Sequence, residues 1–552
     1  MRFFRKSIVV SSFLSSLPWA FSQLLGHNFG RGRLSMVLVG FLAFCASAVV
    51  GLIQGIPVPV EHDEFSYLLA ADTFAQGRLT NPSHPMWIHF ESFHILQQPS
   101  YQSKYPPAQG LMLAAGQTLA GHPIAGVWLS FALMCAGICW MLYAWMPPRW
   151  AFMGGILALL HPQFGFAGYW AQSYWGGAVP ALGGALALGS VRRLIRRPCV
   201  TTSMTLALGC GVMANSRPFE GLLLSLAIGV MLITWIISKK GPPFRIAVRR
   251  VLFPALGVLT LIAVGMAYYN FRITNHPLLL PYQVYETTYA AVPPFLWQRP
   301  RPELTYRHQV MFDDQMNKNM AVYQLQHSIG GFGWKMLFYV ALVIKDFLNV
   351  YAIPFIGVLG TLSVHARRNR WARFGILTFL LVSCGVLSGT YLNAHYFSPI
   401  VGLNYFFVVT AMRLYLWRDK RGGTFFMWFI PLMALCVIGG LLYASVHQDT
   451  SAAAGSQRAR LLQQLEQENG KHLVIVDYQP ARAVGQEWVY NEADIDNSKV
   501  VWARKMDRSQ DCRLIEYFSE RRIWLLELDS DRSRANPAPY GREVCQTKPP
   551  LS

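Results

Sequence analysis

Three carboxylates stand within four residues at Glu61-His62-Asp63-Glu64, just after the first long apolar segment of the chain. Residues 1–445 contain only twelve Asp and Glu residues, so a cluster of acids at this point is unusual. A carboxylate within hydrogen-bond reach of a hydroxyl or amine can act as a general base, and acids beside a bilayer are functional candidates. The structural alternative is the start of a helix, where the helix dipole favours acids. The spacing alone supports both interpretations equally.

Positive charge that could act with these acids is present in later segments. Transfer of a group from a phosphate needs cations that stabilise the departing phosphate. Lys104 directly precedes Tyr105-Pro106-Pro107, and proline there favours the first turn of an apolar helix. Arg217 is either a substrate clamp or a local partner of Glu220 that caps the next helix. His395 and Tyr396 begin a late apolar segment.

The elements that must position these residues are membrane helices. The chain is 53% hydrophobic and 14% charged, with a mean hydropathy of +0.28. Runs of about 20 apolar residues are long enough to cross the hydrocarbon core. The fold class we predict is an all-α polytopic membrane domain with a small C-terminal α/β domain, and glycines at 183–189 predict close helix packing. The predicted spans, about eleven by hydropathy, are 36–58, 123–146, 150–168, 175–191, 201–215, 220–238, 250–269, 346–364, 372–391, 397–416 and 424–446.

The distribution of charge sets the predicted orientation. The net charge is +20, and residues 1–445 carry 33 basic against 12 acidic residues, whereas residues 446–552 carry 15 against 16. The basic residues form short clusters between apolar runs, which is the pattern of cytoplasmic loops rather than of nucleic-acid binding. We therefore predict a cytoplasmic N-terminus, an external C-terminal domain and no nucleic-acid partner. A short apolar helix at 108–121 is predicted to lie along the outer interface.

This orientation divides the chain into three predicted parts. They are a cytoplasmic basic amphipathic segment at 1–35, a transmembrane domain at 36–446 with a first outer loop at 59–107 and a long outer loop at 270–335, and an extracytoplasmic α/β domain at 447–552. In the last part, strands are predicted at 472–478, 499–504 and 523–528, with helices at 457–467 and 513–519. Cys512 and Cys545 are either a disulfide or two free thiols.

Aromatic residues accompany the polar ones on the predicted outer face. Trp170, Tyr174 and Trp175 lie in the turn that follows the third predicted span. Such residues can stack on sugar rings, but an aromatic belt at the membrane interface is the more common arrangement. We therefore predict an interfacial belt here.

Three motifs in the first third of the chain resemble those of the GT-C class of integral-membrane glycosyltransferases, which use polyprenyl-phosphate sugars. They are Asp63-Glu64 followed by Tyr67, then Gly77-Arg78-Leu79-Thr80, then Lys104-Tyr105-Pro106-Pro107 at the start of an apolar helix. The resemblance is closest to the branch of protein O-mannosyltransferases and lipid A aminoarabinose transferases. The rest of the chain resembles that class in topology, including His395-Tyr396 on the outer side.

The resemblance implies roles for individual residues. Asp63 is the expected catalytic base, Glu64 is its expected partner, and Lys104 is expected to contact the donor phosphate. The other residues predicted to bind substrate are Tyr67, Arg78, Tyr105, Arg217, His395 and Tyr396. Tyr174-Trp175-Gly176-Gly177 stands where the family would have an acidic second-loop motif, so no metal-binding residues are predicted. The sequence identifies no cofactor, and a divalent cation stays open.

The activity implied by the resemblance is transfer of a hexose or pentose from a polyprenyl-phosphate donor to a lipid, glycan or protein acceptor outside the bacterial inner membrane. Two other classes compete with it. A transporter or lipid flippase would place ionisable groups near the middle of the membrane, often in repeated halves. A membrane scaffold would act through its exported C-terminal domain on partners in the cell envelope.

Overall fold

The computed structural model describes residues 32–356, 365–447, 454–478, 487–528, 537–541 and 545. The helices are α1 (Gly32–Gln54), α2 (His62–Ala75), α3 (Pro107–Ala120), α4 (Ile124–Trp145), α5 (Pro148–Leu159), α6 (Ala178–Arg196), α7 (Val200–Ala214), α8 (Pro218–Ile237), α9 (Phe244–Thr274), α10 (Pro281–Tyr289), α11 (309–326), α12 (Ile329–Phe355), α13 (Arg370–Ser388), α14 (Ala394–Arg418), α15 (Lys420–His447), α16 (Ala454–Gln467) and α17 (Arg508–Tyr517). The strands are β1 (Asn81–Pro82), β2 (Ile95–Leu96), β3 (Ser100–Ser103), β4 (His472–Tyr478), β5 (Val500–Arg504), β6 (Arg522–Leu528) and β7 (Ala538–Pro539).

Most of the chain is a bundle of apolar helices. Among the described residues, nine helices are long and apolar enough to cross a membrane: α1, α4, α6, α8, α9, α12, α13, α14 and α15. The other two predicted spans, 150–168 and 201–215, correspond to the shorter helices α5 and α7. The prediction of a helical, multi-pass membrane domain is confirmed. The short interfacial helix predicted at 108–121 corresponds to α3.

The packing of the bundle depends on small residues at helix crossings. α6 approaches the start of α14 so closely that a Cβ on Gly184 would lie 1.7 Å from the carbonyl oxygen of Pro399. This contact confirms the close packing predicted from the glycines at 183–189. It also fixes the turn that carries His395 and Tyr396 against the centre of the bundle.

The outer segments differ in detail from the prediction. α12 corresponds to the span predicted at 346–364, but it begins at Ile329. Its start therefore lies within the predicted outer loop 270–335. Ser328 marks that start, because its hydroxyl accepts a hydrogen bond from the N–H of Gly331 at 2.9 Å. The same loop also contains α10 and all of α11. The predicted N-terminal segment lies outside the described residues, apart from positions 32–35.

The C-terminal domain has the α/β form predicted. β4 is the centre of the sheet and pairs in parallel with β5 and β6, and β7 adds an antiparallel edge strand. α17 begins at a side-chain cap, Asp507, whose carboxylate accepts from the N–H of Gln510 at 3.0 Å, and so it starts earlier than predicted. Cys512 and Cys545 are joined by a disulfide.

The C-terminal domain packs directly on the first outer loop. Phe65 of α2 stacks on Tyr490 with ring centroids 4.1 Å apart, and His62 Nδ1 lies 2.8 Å from the Tyr490 hydroxyl. Arg504 extends from β5 to donate a hydrogen bond to the backbone carbonyl of Glu91 at 2.6 Å, and it also forms a buried ion pair with Glu487. Apolar and polar contacts with α2, and the hydrogen bond from Arg504 to the loop, therefore hold the C-terminal domain against this part of the chain.

We expect Arg504→Met to destabilise this junction strongly. Removing one partner of a buried ion pair costs about 3–5 kcal/mol, because Glu487 is left charged and unpaired. The matched control is Arg522→Met, because the Arg522–Glu468 pair is exposed and such pairs contribute about 0–1 kcal/mol. Thermal unfolding in detergent, followed by tryptophan fluorescence, should give a large shift for the first variant only. Equal shifts would contradict the importance of the buried pair.

Candidate active site

The first site element is the beginning of α2, which Glu64 fixes in place. Glu64 is buried, and its Oε2 accepts hydrogen bonds from the N–H groups of Val60 at 2.8 Å and Glu61 at 3.0 Å. Its Oε1 accepts from the N–H of Tyr174 at 2.9 Å. Burial raises the pKa of Glu64, while these backbone donors act in the opposite direction. Glu64 thus caps its own helix and joins it to the turn before α6.

Asp63, the neighbouring acid, faces a different group. Its Oδ1 accepts a hydrogen bond from the hydroxyl of Tyr105, which lies directly before the two prolines that begin α3. Burial, and then the charge of Asp63, raise the pKa of Tyr105 well above its usual value, so the phenol stays protonated and donates. Tyr67 stacks on Tyr105 with ring centroids 4.7 Å apart. The Asp63 carboxylate is therefore oriented by an aromatic pair.

Lys104 is surrounded by tyrosine rings and forms an ion pair with one carboxylate. Its Nζ is 3.6 Å from Glu286 Oε1, 4.2 Å from the ring centroid of Tyr285 and 4.9 Å from that of Tyr282. Burial lowers the pKa of Lys104, and the charges of Glu286 and Asp63 act against that effect. The ring faces and the carboxylate together stabilise an ammonium group away from water.

Arg217 supplies a second cation from the turn between α7 and α8. Its guanidinium lies 4.8 Å from the ring centroid of Tyr396. His395 lies behind that ring, at 4.8 Å, and against Trp175, at 4.7 Å. His395 is buried, so in this arrangement it supports Tyr396.

These groups surround a cavity of about 430 Å³, called the outer cavity here because its lining includes residues of the two predicted outer loops. Its polar lining residues include Lys104, Tyr105, Arg217, Tyr282, Tyr396 and also Glu220, whose carboxylate interacts electrostatically with Arg217, and its apolar walls come from α8, α9 and α13. Asp63 is one hydrogen bond away from the cavity, through Tyr105. The arrangement offers two cations for an anionic group, a carboxylate for a proton and apolar walls for a chain.

The structure brings together most of the residues predicted for the site, but not all of them. Tyr67 and His395 lie in the layer behind the cavity lining. Arg78 lies apart from that lining and contacts Gln76 instead. Trp170 and Tyr174 are buried inside the protein, and Trp170 stacks on Phe164 at 4.4 Å, so the predicted interfacial belt is wrong for these two residues.

The residues that the sequence analysis missed are on α10. Glu286 and Tyr282 were not predicted as site residues, because α10 lies in a long outer loop that gave no hydropathy signal. The available signal was local: Pro281 at the start of a helix, followed by a tyrosine and a glutamate four residues apart on one face. Within the described ranges, no three His, Cys, Asp or Glu side chains lie close enough together to hold a metal ion.

The two adjacent acids should respond differently to substitution. Glu64→Ala leaves buried N–H groups unpaired, and each unsatisfied group costs about 1–3 kcal/mol. Asp63→Asn retains a carbonyl oxygen that can accept from Tyr105, so we expect a change within about 0.5 kcal/mol. The midpoint of thermal unfolding in detergent distinguishes these outcomes. A strongly destabilised Asp63→Asn variant would mean that Asp63 is a structural residue.

Comparison with solved structures identifies the architecture. No protein-family model and no curated protein matched the sequence. ArnT from Cupriavidus metallidurans in the apo state aligns with a TM-score of 0.51 at 12% identity, over 88% of this chain and 92% of ArnT. The same protein bound to undecaprenyl phosphate gives 0.50 at 14% identity, over 89% and 92%.

A second neighbour is the apo oligosaccharyltransferase of Archaeoglobus fulgidus, with a TM-score of 0.47 at 11% identity. The alignment covers 82% of this chain but 63% of the archaeal protein, so the chain spans less than two thirds of that neighbour's length. ArnT, the lipid A aminoarabinose transferase, aligns over nearly its whole length. Because the sequence identity is low, this similarity is evidence for the fold alone. The chain therefore has the fold of the GT-C glycosyltransferases.

Proposed function

We propose that this protein is an integral-membrane glycosyltransferase that moves a sugar from a polyprenyl-phosphate donor to an acceptor at the outer face of the membrane. The observation that carries the proposal is the outer cavity. It combines two cations, apolar walls from membrane helices and a carboxylate one hydrogen bond away. Such a cavity suits a molecule with an anionic head and a long apolar chain.

The cationic end and the apolar walls of the cavity together indicate the class of sugar donor. Arg217 presents a planar fork of N–H donors, which suits phosphate oxygens, and Lys104 adds a compact charge. Leu222, Met266 and Val386 line the walls from α8, α9 and α13. The similar ArnT structure was determined with undecaprenyl phosphate bound, which supports a polyprenyl phosphate as the lipid.

The proposed reaction is a displacement at the anomeric carbon of the donor sugar. Asp63 accepts the proton of an acceptor hydroxyl or amine as that oxygen or nitrogen attacks the anomeric carbon. The bond between this carbon and the phosphate oxygen breaks, and its electron pair leaves on the lipid phosphate. Arg217 and Lys104 stabilise the charge that develops there. Asp63 then releases its proton to water.

The roles proposed for the other residues around the cavity are supporting ones. Glu64 positions Asp63 through its bonds to backbone N–H groups, and Tyr105 orients the Asp63 carboxylate. Glu286 holds Lys104 at the cavity. No step of the proposed reaction is assigned to a metal.

The proposed location is the bacterial inner membrane, with the N-terminus in the cytoplasm and the cavity and C-terminal domain outside. The basic clusters between spans support this orientation. The disulfide between Cys512 and Cys545 also fits an oxidising compartment outside the cytoplasm.

Asp63→Asn should abolish transfer while donor binding is retained. Loss of a general base lowers the rate by about 10²–10⁴-fold. The purified variant is incubated with a panel of undecaprenyl-phosphate hexoses and pentoses and with host membranes as acceptor. Mass spectrometry then measures the undecaprenyl phosphate released. Asp313→Asn is the control, because Asp313 lies on α11 outside the cavity lining. Full activity of Asp63→Asn would exclude Asp63 as the base.

Arg217→Met should weaken binding of undecaprenyl phosphate. Hydrogen bonds to charged groups contribute about 1.5–3 kcal/mol, which corresponds to roughly a 10- to 100-fold rise in Kd. Arg272→Met is the matched control, because Arg272 is exposed on α9 and its guanidinium contacts Tyr268 rather than the cavity. Titration of undecaprenyl phosphate in detergent, followed by native mass spectrometry, measures both. Equal Kd values for the two variants would refute a phosphate site at Arg217.

A further inference from the structure

A second cavity lies at the other end of α7 from the outer cavity. Its volume is about 580 Å³, and it is formed by the end of α6, the start of α7 and one residue of α9. α7 has 15 residues and is therefore about 22 Å long. Its last residue, Ala214, lines the outer cavity, and its first residues line the second one. The two cavities are therefore separate sites on opposite sides of the membrane domain.

The lining of the second cavity is strongly cationic. It includes four arginines: Arg193, Arg196, Arg197 and Arg250. Arg193 donates to the backbone carbonyls of Gly189 and Trp140, so it is held by the protein itself. In the ranges that the structure describes, no carboxylate forms an ion pair with Arg196, Arg197 or Arg250. Arg196, Arg197 and Arg250 are exposed, and an anion between their guanidinium groups would reduce the repulsion among them.

The start of α7 adds donors of a second kind to the same space. Val200, Thr201 and Thr202 line the cavity in the first turn of α7, where N–H groups have no backbone partner within the helix. Thr201 and Thr202 form hydrogen bonds to Cys199, which lines the same cavity. The two threonines also bring hydroxyl groups. Backbone N–H groups at a helix start, hydroxyls and arginines are together the groups that bind phosphate oxygens.

Basic loops are common on one side of a membrane protein, but this cluster differs from a simple loop. Its arginines come from segments more than 50 residues apart and converge on one cavity, whereas Arg249, next to Arg250, does not line it. A charge bias along the sequence does not require such convergence.

We propose that this second cavity is a binding site for a phosphate group, on the side of the membrane domain opposite the outer cavity. The phosphate belongs either to an anionic phospholipid of the adjacent leaflet or to a small soluble phosphate compound. The chemistry is the same in both cases. The proposal does not depend on the transferase activity, because no residue of the second cavity lines the outer one.

Cys199 offers a direct reporter of this site. It lines the cavity, and its Sγ lies 3.2 Å from Thr201 Oγ1. Hydrogen bonds from Thr201, and then from Thr202, lower the pKa of the Cys199 thiol to about 7, so it reacts readily with alkylating reagents near neutral pH. A phosphate bound among the arginines would cover this sulfur and disfavour its thiolate.

The experiment measures alkylation of Cys199 by iodoacetamide in the full-length protein, using peptide mass spectrometry. One arm adds inorganic phosphate to protein in nanodiscs of phosphatidylcholine, with sodium chloride at equal ionic strength as the control. The second arm compares these nanodiscs with nanodiscs that also contain phosphatidylglycerol. At ten times the Kd about one site in eleven is empty, so alkylation should slow about tenfold. Protection in the first arm identifies a soluble phosphate, and protection in the second arm alone identifies a lipid headgroup.

The matched variants are Arg250→Gln and Arg249→Gln, which remove the same charge from neighbouring residues inside and outside the cavity. We expect that phosphate no longer slows alkylation of Cys199 in Arg250→Gln and still slows it in Arg249→Gln. For each variant, the alkylation rate with phosphate is compared with the rate of the same variant without phosphate. Lack of protection in both arms would overturn the proposal. Equal loss of protection in the two variants would also overturn it, because the effect would then be general surface charge.

Discussion

The candidate active site depends on a buried carboxylate, Glu64, that satisfies backbone N–H groups from two distant parts of the chain. Its donors come from the segment before α2 and from Tyr174, more than 100 residues later. Buried N–H groups without partners are costly, so this carboxylate fixes where α2 begins relative to the turn before α6. Asp63, one residue earlier, does not join these backbone contacts and instead accepts a hydrogen bond from the Tyr105 hydroxyl. Glu64 therefore has a structural role, and the Asp63 carboxylate is directed toward the cavity side through Tyr105.

The two cations of the outer cavity, Lys104 and Arg217, are stabilised by aromatic rings as well as by counter-ions. Lys104 has one carboxylate partner and three nearby tyrosine rings, and Arg217 lies over the ring of Tyr396. Ring faces stabilise a cation less completely than a second carboxylate would. The cations therefore keep attraction for an anionic ligand, while the rings and apolar walls exclude water. This balance suits a lipid phosphate better than a freely soluble one.

The C-terminal domain contributes to the same arrangement from behind. Tyr490 stacks on Phe65 of α2, and Arg504 bonds to the backbone of the first outer loop at Glu91. The helix that carries Asp63 is thus packed between the membrane domain and the C-terminal domain. Among its described residues the C-terminal domain contributes none to the cavity lining, and its contacts with Phe65 and His62 hold α2, the helix that carries Asp63.

The sequence by itself determined the features that are local along the chain. Long apolar runs marked the membrane helices, short apolar runs marked β4 to β6, and the resemblance in the first third singled out Asp63, Lys104 and Tyr105. The tertiary structure decided which distant residues meet. Glu286 reaches Lys104 across 182 positions, Trp170 is inside the core rather than at the interface, and Arg250 joins Arg196 at one cavity. Such pairings depend on how helices pack and on which charges can be paired when water is removed, and neither is encoded in the spacing of residues along one helix.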